Sequence, residues 1–254
     1  MRVTVLGCGT STGVPVIGCR CPVCTSEAPE NRRLRTGLRL EAGGRTVLVD
    51  TPTDLRQQAL AFGVDRVDAV VYTHAHADHT HGIDELRTFN FRQGGPIPCY
   101  GNHEAVTRIR QSFGYIFEEG EEGGGKPRIV LHEVAGPFRA AGIELVPVPA
   151  WHGELEVYGY RAGRFAYLTD CNRIPEESFE RLAGVELLIL DGLRFEPPHP
   201  THFTVAEASA AAARIGARRT WLTHLTHDVD YHNPKYPLPD GVELAYDGLQ
   251  FAID

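Results

Sequence analysis

The side chains best equipped for chemistry are crowded into Thr73-His74-Ala75-His76-Ala77-Asp78-His79. An apolar run, Val67-Asp68-Ala69-Val70-Val71-Tyr72, precedes them and reads as a buried strand. Four imidazole or carboxylate groups at one strand's end can face two cations at once, His74 and His76 toward the first, Asp78 and His79 toward the second. Such donors suit divalent metals of intermediate softness, and a hydrolytic site keeps a coordination position open for water. Two ligands per ion are too few, so others must come from elsewhere. His152 follows Val146-Pro147-Val148-Pro149, Asp170 follows Ala166-Tyr167-Leu168-Thr169, and His224 follows Trp221-Leu222-Thr223. Each repeats one pattern, an apolar strand and then a residue able to bind metal, and strand ends on one edge of a layered α/β fold converge. A solvated turn with spare histidines is the bland account of residues 74–79 alone. Three more such residues at strand ends weigh against it.

A second cluster, Cys19-Arg20-Cys21-Pro22-Val23-Cys24, has the C-x-C-x-x-C spacing of a tetrahedral zinc knuckle, with one position left open. A disulfide is the competing reading. Cys8, Cys99 and Cys171 stand alone and read as small buried hydrophobes. The proline-rich stretch from Asp191 to Thr204, a loop between a strand and a helix, carries His199 and His202, and a histidine there can serve as a proton donor with a pKa near neutrality. His81, just beyond the first motif, is either a relay or a polar residue at a helix start. Arg87, Arg92 and Arg194 could hold a phosphate bidentately, although each fits a surface salt bridge as well. Gly7-Cys8-Gly9-Thr10-Ser11-Thr12-Gly13 superficially matches a dinucleotide-binding turn, but Val14-Pro15 stands where a helix should begin. A tight turn near the metal cluster is the better account.

The elements that must position these groups follow from periodicity. Strands are expected over 2–6, 38–41, 45–49, 67–72, 97–100, 128–132, 143–148, 157–161, 165–168, 186–190 and 220–223, with the last strands inside 244–252. Helices are expected over 53–62, 84–91, 104–113, 175–182 and 205–215. The acidic, glycine-rich stretch 118–126 reads as a flexible loop. Strands and helices interleaved without a strict βαβ period predict two sheets covered by helices on both outer faces.

The chain has 254 residues, of which 42% are hydrophobic, and its net charge is -8. That length suits one large domain, here 1–254 with the knuckle segment at about 7–31. The acidic balance gives no field for gathering nucleic acid. No apolar run approaches the ~18 residues needed to cross a bilayer, and no signal segment is evident, so a cytoplasmic setting without membrane contact is expected, where disulfides are rare.

Taken together, residues 73–79 with Asp50 ending an upstream strand resemble the signature of the metallo-β-lactamase superfamily, and His152, Asp170 and His224 fall in that family's order. More narrowly, from near residue 3 to near residue 251, the chain resembles PhnP-type phosphodiesterases, which hydrolyse cyclic phosphates such as phosphoribosyl 1,2-cyclic phosphate. Residues Gly7 to Pro15, the cysteine cluster and Leu222-Thr223-His224-Leu225-Thr226-His227-Asp228 carry the narrower match. The resemblance implies an α+β fold, the four-layer αββα sandwich. It implies His74, His76 and His152 on one metal, Asp78, His79 and His224 on a second, and Asp170 bridging, with Asp78 also counted as catalytic. Asp50 would fix a ligand imidazole through its remaining N–H. His227 would complete the knuckle beside Cys19, Cys21 and Cys24, and His202 would be the general acid, with His199 as runner-up. The implied cofactors are two divalent ions, Mn²⁺ or Zn²⁺, plus one structural Zn²⁺.

The implied activity is hydrolysis of a small cyclic phosphate or phosphodiester by a metal-bridged hydroxide. The expected partner is that phosphate ester, without stable nucleic-acid binding; a homodimer stays open. Rival readings on the same scaffold are a ribonuclease Z-like enzyme, a thioesterase of glyoxalase II type, a PqqB-like protein and a non-catalytic metal-binding protein. The acidic charge argues against the ribonuclease, and the complete set of seven ligand positions argues against the last.

Overall fold

The computed structural model describes residues 1–118, 120 and 125–253. Most of the expected loop at 118–126, namely 119 and 121–124, lies outside the described residues. In chain order the strands are β1 (Arg2–Gly7), β2 (Gly37–Ala42), β3 (Arg45–Val49), β4 (Ala69–Val71), β5 (Ile97–Gly101), β6 (Ile129–Glu133), β7 (Phe138–Ala140), β8 (Ile143–His152), β9 (Leu155–Ala162), β10 (Phe165–Leu168), β11 (Leu187–Asp191), β12 (Arg219–Thr223), β13 (Val242–Leu244) and β14 (Gln250–Ala252). The α-helices are α1 (Leu55–Ala61), α2 (Ala77–Thr80), α3 (Leu86–Gln93), α4 (His103–Ser112), α5 (Glu176–Leu182) and α6 (Val205–Ile215).

Among the described residues the strands form two seven-stranded sheets, in the orders β14-β1-β2-β3-β4-β5-β6 and β13-β12-β11-β10-β9-β8-β7. Side chains alternate between two cores, as the period of two in a strand requires. Val47 and Val49 of β3 face the space between the sheets with Val3, Val5, Ile189 and Trp221. Leu48 points the other way, packing with Leu55 of α1, Leu86 and Phe89 of α3 and Ile109 of α4. In the second sheet Leu188, Leu190 and Leu222 pack against Leu182 of α5 and Val205, Ala208 and Ala212 of α6. Two sheets back to back with helices outside make the four-layer α+β sandwich expected from the sequence.

The parallel halves of the two sheets matter most. β3, β4, β5 and β6 run parallel in the first sheet, and β10, β11, β12 and β13 do so in the second. Asp50, residues 73–79, Asp170, Asp191 and His224 all lie at the carboxyl ends of these strands, the edge where layered α/β sheets bind ligands.

Several expectations need correction. β8 runs through Pro147 and Pro149 to end on His152 itself. Its pairing with β7 stops at Leu145, so beyond that point the prolines meet an open edge and remove no ladder bond. Their outward carbonyls accept from α5 instead, Arg181 Nη1 to Pro147 at 2.8 Å and Ser178 Oγ to Pro149 at 2.6 Å. The expected strand region 244–252 resolves into two strands in different sheets, β13 on β12 and β14 on β1. The one-turn helix α2 and the short β7 are too brief to leave a periodic signal. No described helix is long and apolar enough to cross a membrane.

Candidate metal centre

The sequence places its ligand candidates at chain reversals. Asp50, Asp170 and His224 each hold a left-handed backbone conformation, with φ of 66°, 53° and 61°. Non-glycine residues held in that region carry strain, and such strain gathers at functional sites. Each directs its side chain just past a strand end, where the two sheets' edges meet.

The resulting cluster is compact. Potential ligand atoms of Asp78, His79, Asp170 and His224 all lie within 4.8 Å of one another, as do those of His152, Asp170 and His202. Asp170 belongs to both groups. His79 Nε2 stands 3.3 Å from Asp78 Oδ2 and 3.3 Å from Asp170 Oδ1, and His224 Nδ1 stands 3.0 Å from Asp170 Oδ1. His74 Nε2 is 3.9 Å from Asp170 Oδ2. The His76 ring lies 4.5 Å from that of His74 and 5.1 Å from that of His152. His76 is exposed at the mouth, whereas His74, His79, Asp170 and His224 are buried.

Three imidazoles are held in one tautomer. His79 Nδ1 donates to Asp50 Oδ2 at 2.7 Å, His74 Nδ1 to Thr73 Oγ1 at 3.0 Å, and His152 Nδ1 to the Thr201 carbonyl at 2.9 Å. Thr73 is itself fixed, since its N–H and hydroxyl both donate to Asp50 at 2.8 Å. In each ring Nε2 is left as the lone-pair nitrogen, the form a metal requires. His74 Nε2 and His79 Nε2 are buried and without a hydrogen-bond partner among the described residues. Leaving such atoms unsatisfied costs about 1–3 kcal/mol each. The 3.3 Å separations of His79 Nε2 from Asp78 and Asp170 match the ~3.4 Å edge between ligands about 2.1 Å from a shared ion. The residues present therefore fit divalent cations.

The electrostatics agree. Burial alone would lower the pKa of His79, but Asp170, Asp78 and Asp50 surround it and hold it well above the usual value. Burial pushes His74 well below, and lowers His76 and His152. Burial would raise Asp170, yet His224 and His79 hold it well below the carboxylate range. A pocket that stabilises a positive charge among three carboxylates can be served by a proton or, more completely, by cations.

His202 stands at the edge of this group, its ring 4.6 Å from His152 and 4.8 Å from His224. Its Nδ1 donates to Asp191 Oδ2 at 2.8 Å, leaving Nε2 as the nitrogen able to face the cluster. Burial opposes its charge, but Asp191, followed by Asp170 and Asp78, raises its pKa above the ordinary histidine value. Asp191 is fully buried and also accepts from Cys171 N at 2.9 Å.

Some 227 residues into the chain, His227 meets the knuckle. Its Nδ1 lies 3.3 Å from Cys19 Sγ, 3.5 Å from Cys21 Sγ and 3.4 Å from Cys24 Sγ. A tetrahedral ion with zinc-like bond lengths gives S···N edges of about 3.6 Å, so this donor set fits Zn²⁺. Burial raises the Cys21 thiol, but the Cys24 N–H, the neighbouring thiols and His227 bring it down to about 7. No disulfide joins the cysteines.

Comparison with known proteins follows this geometry. A Beta-lactamase superfamily domain matches residues 45–225. The solved structure of a new diphosphatase from the PhnP family superposes with a TM-score of 0.92 at 41% identity, covering 100% of this chain and 98% of that one. The chain belongs to the PhnP family of the β-lactamase superfamily. Zn²⁺-bound PqqB from Methylobacterium extorquens shares the fold, with a TM-score of 0.76 at 22% identity over the whole of both chains. A Porphyromonas gingivalis protein named octanoyltransferase is 38% identical over 258 residues, 100% of this chain but 52% of its own length; the chain spans about half of that relative.

Within this PhnP-family chain, all seven ligand candidates converge with Asp50 and His202. Other candidates do not. His81 is exposed and sets its ring edge on Phe113 at 5.4 Å. Arg87 pairs with Asp84 at 2.9 Å, Arg92 lines a separate groove with Leu55 and Leu60, and Arg194 Nε donates to Pro197 O at 2.9 Å. His199 reaches the rim, its ring 5.0 Å from His202 and its Nδ1 accepting from Thr201 Oγ1. The Gly7–Gly13 loop is a turn beside the site, as expected: Leu225 N donates to Cys8 O at 2.9 Å. A Cβ on Gly9 would meet Arg33 O at 2.8 Å, so only glycine lets these segments close.

Sequence reasoning missed Asp191, Thr73 and Asn172. Asp191 closes the apolar run Leu187-Leu188-Ile189-Leu190, the same strand-then-ligand pattern that singled out Asp170 and His224, and that signal could have found it. Asn172 ties three loops, with Oδ1 accepting from Gly153 N at 3.1 Å and Nδ2 donating to Pro200 O at 2.7 Å. A lone asparagine carries no such signal.

Proposed function

We propose that this chain is a metal-dependent hydrolase that cleaves a phosphorus–oxygen bond in a small phosphate compound, either a phosphodiester such as a cyclic ribose phosphate or a diphosphate. The observation that carries the reading is the His202–Asp191 pair, 2.8 Å apart and set one ring from His152. In this reading His74, His76 and His152 would hold one divalent cation, Asp78, His79 and His224 would hold another with Asp170 available to both, and the knuckle would hold zinc. When bound, the two cations supply Lewis-acid polarisation and a water acidified to near neutrality.

The chain's own residues supply the rest. His202, charged at pH values below its raised pKa, gives its Nε2 proton to the departing oxygen while the other product gains the oxygen of water. Asp191 holds the opposite nitrogen, so the ring cannot turn away and its charge is stabilised. Asp50, Thr73 and the Thr201 carbonyl keep Nε2 of His79, His74 and His152 aimed into the cluster. The net charge of -8 disfavours a nucleic-acid polyanion as substrate. The 41% identity to a PhnP-family diphosphatase supports phosphorus chemistry. A zinc-binding knuckle in place of a disulfide is what a cytoplasmic setting would favour, and in this reading all these parts belong to one domain.

A second reading, hydrolysis of an acyl ester or thioester, draws on the 38% identity to half of a protein named octanoyltransferase. One screen separates the two. Metal-reconstituted protein is offered bis(4-nitrophenyl) phosphate, cyclic ribose phosphates, diphosphates and acyl thioesters. Phosphate turnover is expected, and His202→Ala should lower it by about 10²- to 10⁴-fold with metal content intact. Turnover of thioesters alone would overturn the proposal, and an unchanged His202→Ala rate would remove His202 as the acid.

A further inference from the structure

Arg33 sits among the largest fully buried side chains, 1% exposed, and no role in the site has fallen to it. Its acceptors are all neutral oxygens. Nε donates to Glu30 O at 3.1 Å, Nη1 to Thr226 O at 2.9 Å, and Nη2 to Asn31 Oδ1 at 3.1 Å and Val229 O at 2.8 Å. No carboxylate among the described residues pairs with it directly, and Asp247 and Asp230 act on it only from a distance, so burying this guanidinium is costly. A sequence that only needed to fill this space would use an apolar side chain, so the fork itself is the feature to explain.

Its position explains it. Thr226 and Val229 bound a tight turn closed by Val229 N donating to Thr226 O at 3.3 Å, and His227 lies within that turn. Arg33 thus grips both end carbonyls of the turn that presents His227 to the three cysteines. Its own backbone pairs with Val14 in both directions, 2.8 and 2.9 Å, at the start of the knuckle loop. Toward the other side, Thr226 N donates to Leu193 O at 3.0 Å and Leu225 N to Cys8 O, and His224 follows immediately upstream with its strained φ. One planar fork therefore holds the short segment on which a ligand candidate of each metal centre rides.

Resting on the metal-site reading above, we propose that Arg33 is a positioning residue that sets His224 and His227 together, coupling the cysteine knuckle to the Asp78–His79–His224 metal position and not to the His74–His76–His152 position. The test is Co²⁺ titration of the metal-free protein against a competing chelator. The thiolate-to-cobalt charge-transfer band reads the knuckle, and the weaker visible bands read the His/Asp positions. Arg33→Lys keeps the charge but loses the fork. It should weaken Co²⁺ binding about tenfold or more at the knuckle and at one His/Asp position, leaving the other His/Asp position at wild-type affinity. Wild-type affinity throughout, a loss confined to the knuckle, or an equal loss at all three positions would each overturn the proposal. Should Arg33→Lys not fold, Asn31→Ser removes one acceptor of the fork and should weaken the same two positions about threefold; no change at either overturns it. Wild-type protein that shows no thiolate band, or takes up fewer than three equivalents, refutes the metal-site reading itself, and the proposal with it.

Discussion

The first sheet delivers its ligand candidates together, His74, His76, Asp78 and His79 on a single loop after β4. The second delivers His152, Asp170 and His224 singly, from the ends of β8, β10 and β12. The loop is organised locally: Thr73 bonds Asp50 one strand away, and Asp50 bonds His79. The second set depends on parallel pairing of β10, β11 and β12 and on strained residues at 170 and 224. A locally built half should tolerate perturbation of the other, whereas the dispersed half needs the whole sandwich and gains most from bound cations.

Substitution at the junction should give the largest effect. Asp170 is the one residue shared by both donor groups, so Asp170→Ala is expected to abolish binding of both catalytic ions and reduce turnover on the order of 10³-fold or more. His76→Ala, in the exposed part of the loop, should cost one ion. Elemental analysis separates them, and equal metal loss would erase the contrast between the halves. Next comes Asp191→Asn in the second sheet, which removes the charge holding His202. Turnover should fall about 10- to 100-fold and the alkaline limb of the pH–rate profile should move to lower pH, because the Asp191 carboxylate contributes to the raised His202 pKa that keeps the acid protonated. An unshifted limb would show that Asp191 does not act through His202.

These two residues also show what could be read from the chain. The loop at 74–79 is legible because its four ligand candidates fall within six residues; Asp170 and His224 are legible only as endings of apolar runs, a pattern that Asp191 shares. β8 was expected to stop near its prolines, since the sequence does not reveal that its outer edge is unpaired there. No internal repeat is visible in the residues, yet the two sheets share an arrangement, antiparallel strands followed by parallel ones, with Asp50 after β3 answering Asp170 after β10. Backbone topology can be alike where side chains have diverged. Arg33 gave no signal, because its partners are carbonyls whose positions exist only in the fold.

A smaller effect is expected at the knuckle. Cys21→Ser should lose one zinc equivalent and keep the catalytic pair, since Arg33 still holds the 226–229 turn; loss of all metal would show that zinc, not the fork, holds His224. Smallest is a stability term at the seam between the N-terminal strands and the last loop. Burial raises Asp247 to about 7, against hydrogen bonds from Leu34 N and Cys8 N and the nearby Arg33 charge. A carboxyl raised on folding adds stability that is fully present below its unfolded pKa of about 4 and is lost as pH rises through about 7. Thermal unfolding should therefore show Tm falling across that window in the wild type, with this part of the slope absent in Asp247→Asn. An unaltered slope would rule it out.

The central claim, that these two unlike halves assemble a centre for hydrolysis at phosphorus, is tested most directly by turnover in ¹⁸O-labelled water. Protein loaded with Mn²⁺ or Zn²⁺ would act on a cyclic ribose phosphate or a diphosphate, with products followed by ³¹P NMR. The account predicts one ¹⁸O on the phosphorus of the product, turnover that a chelator abolishes and added metal restores, and near-total loss in Asp170→Ala. Label appearing only in a carboxylate released from a thioester, with every phosphate left intact, would contradict it.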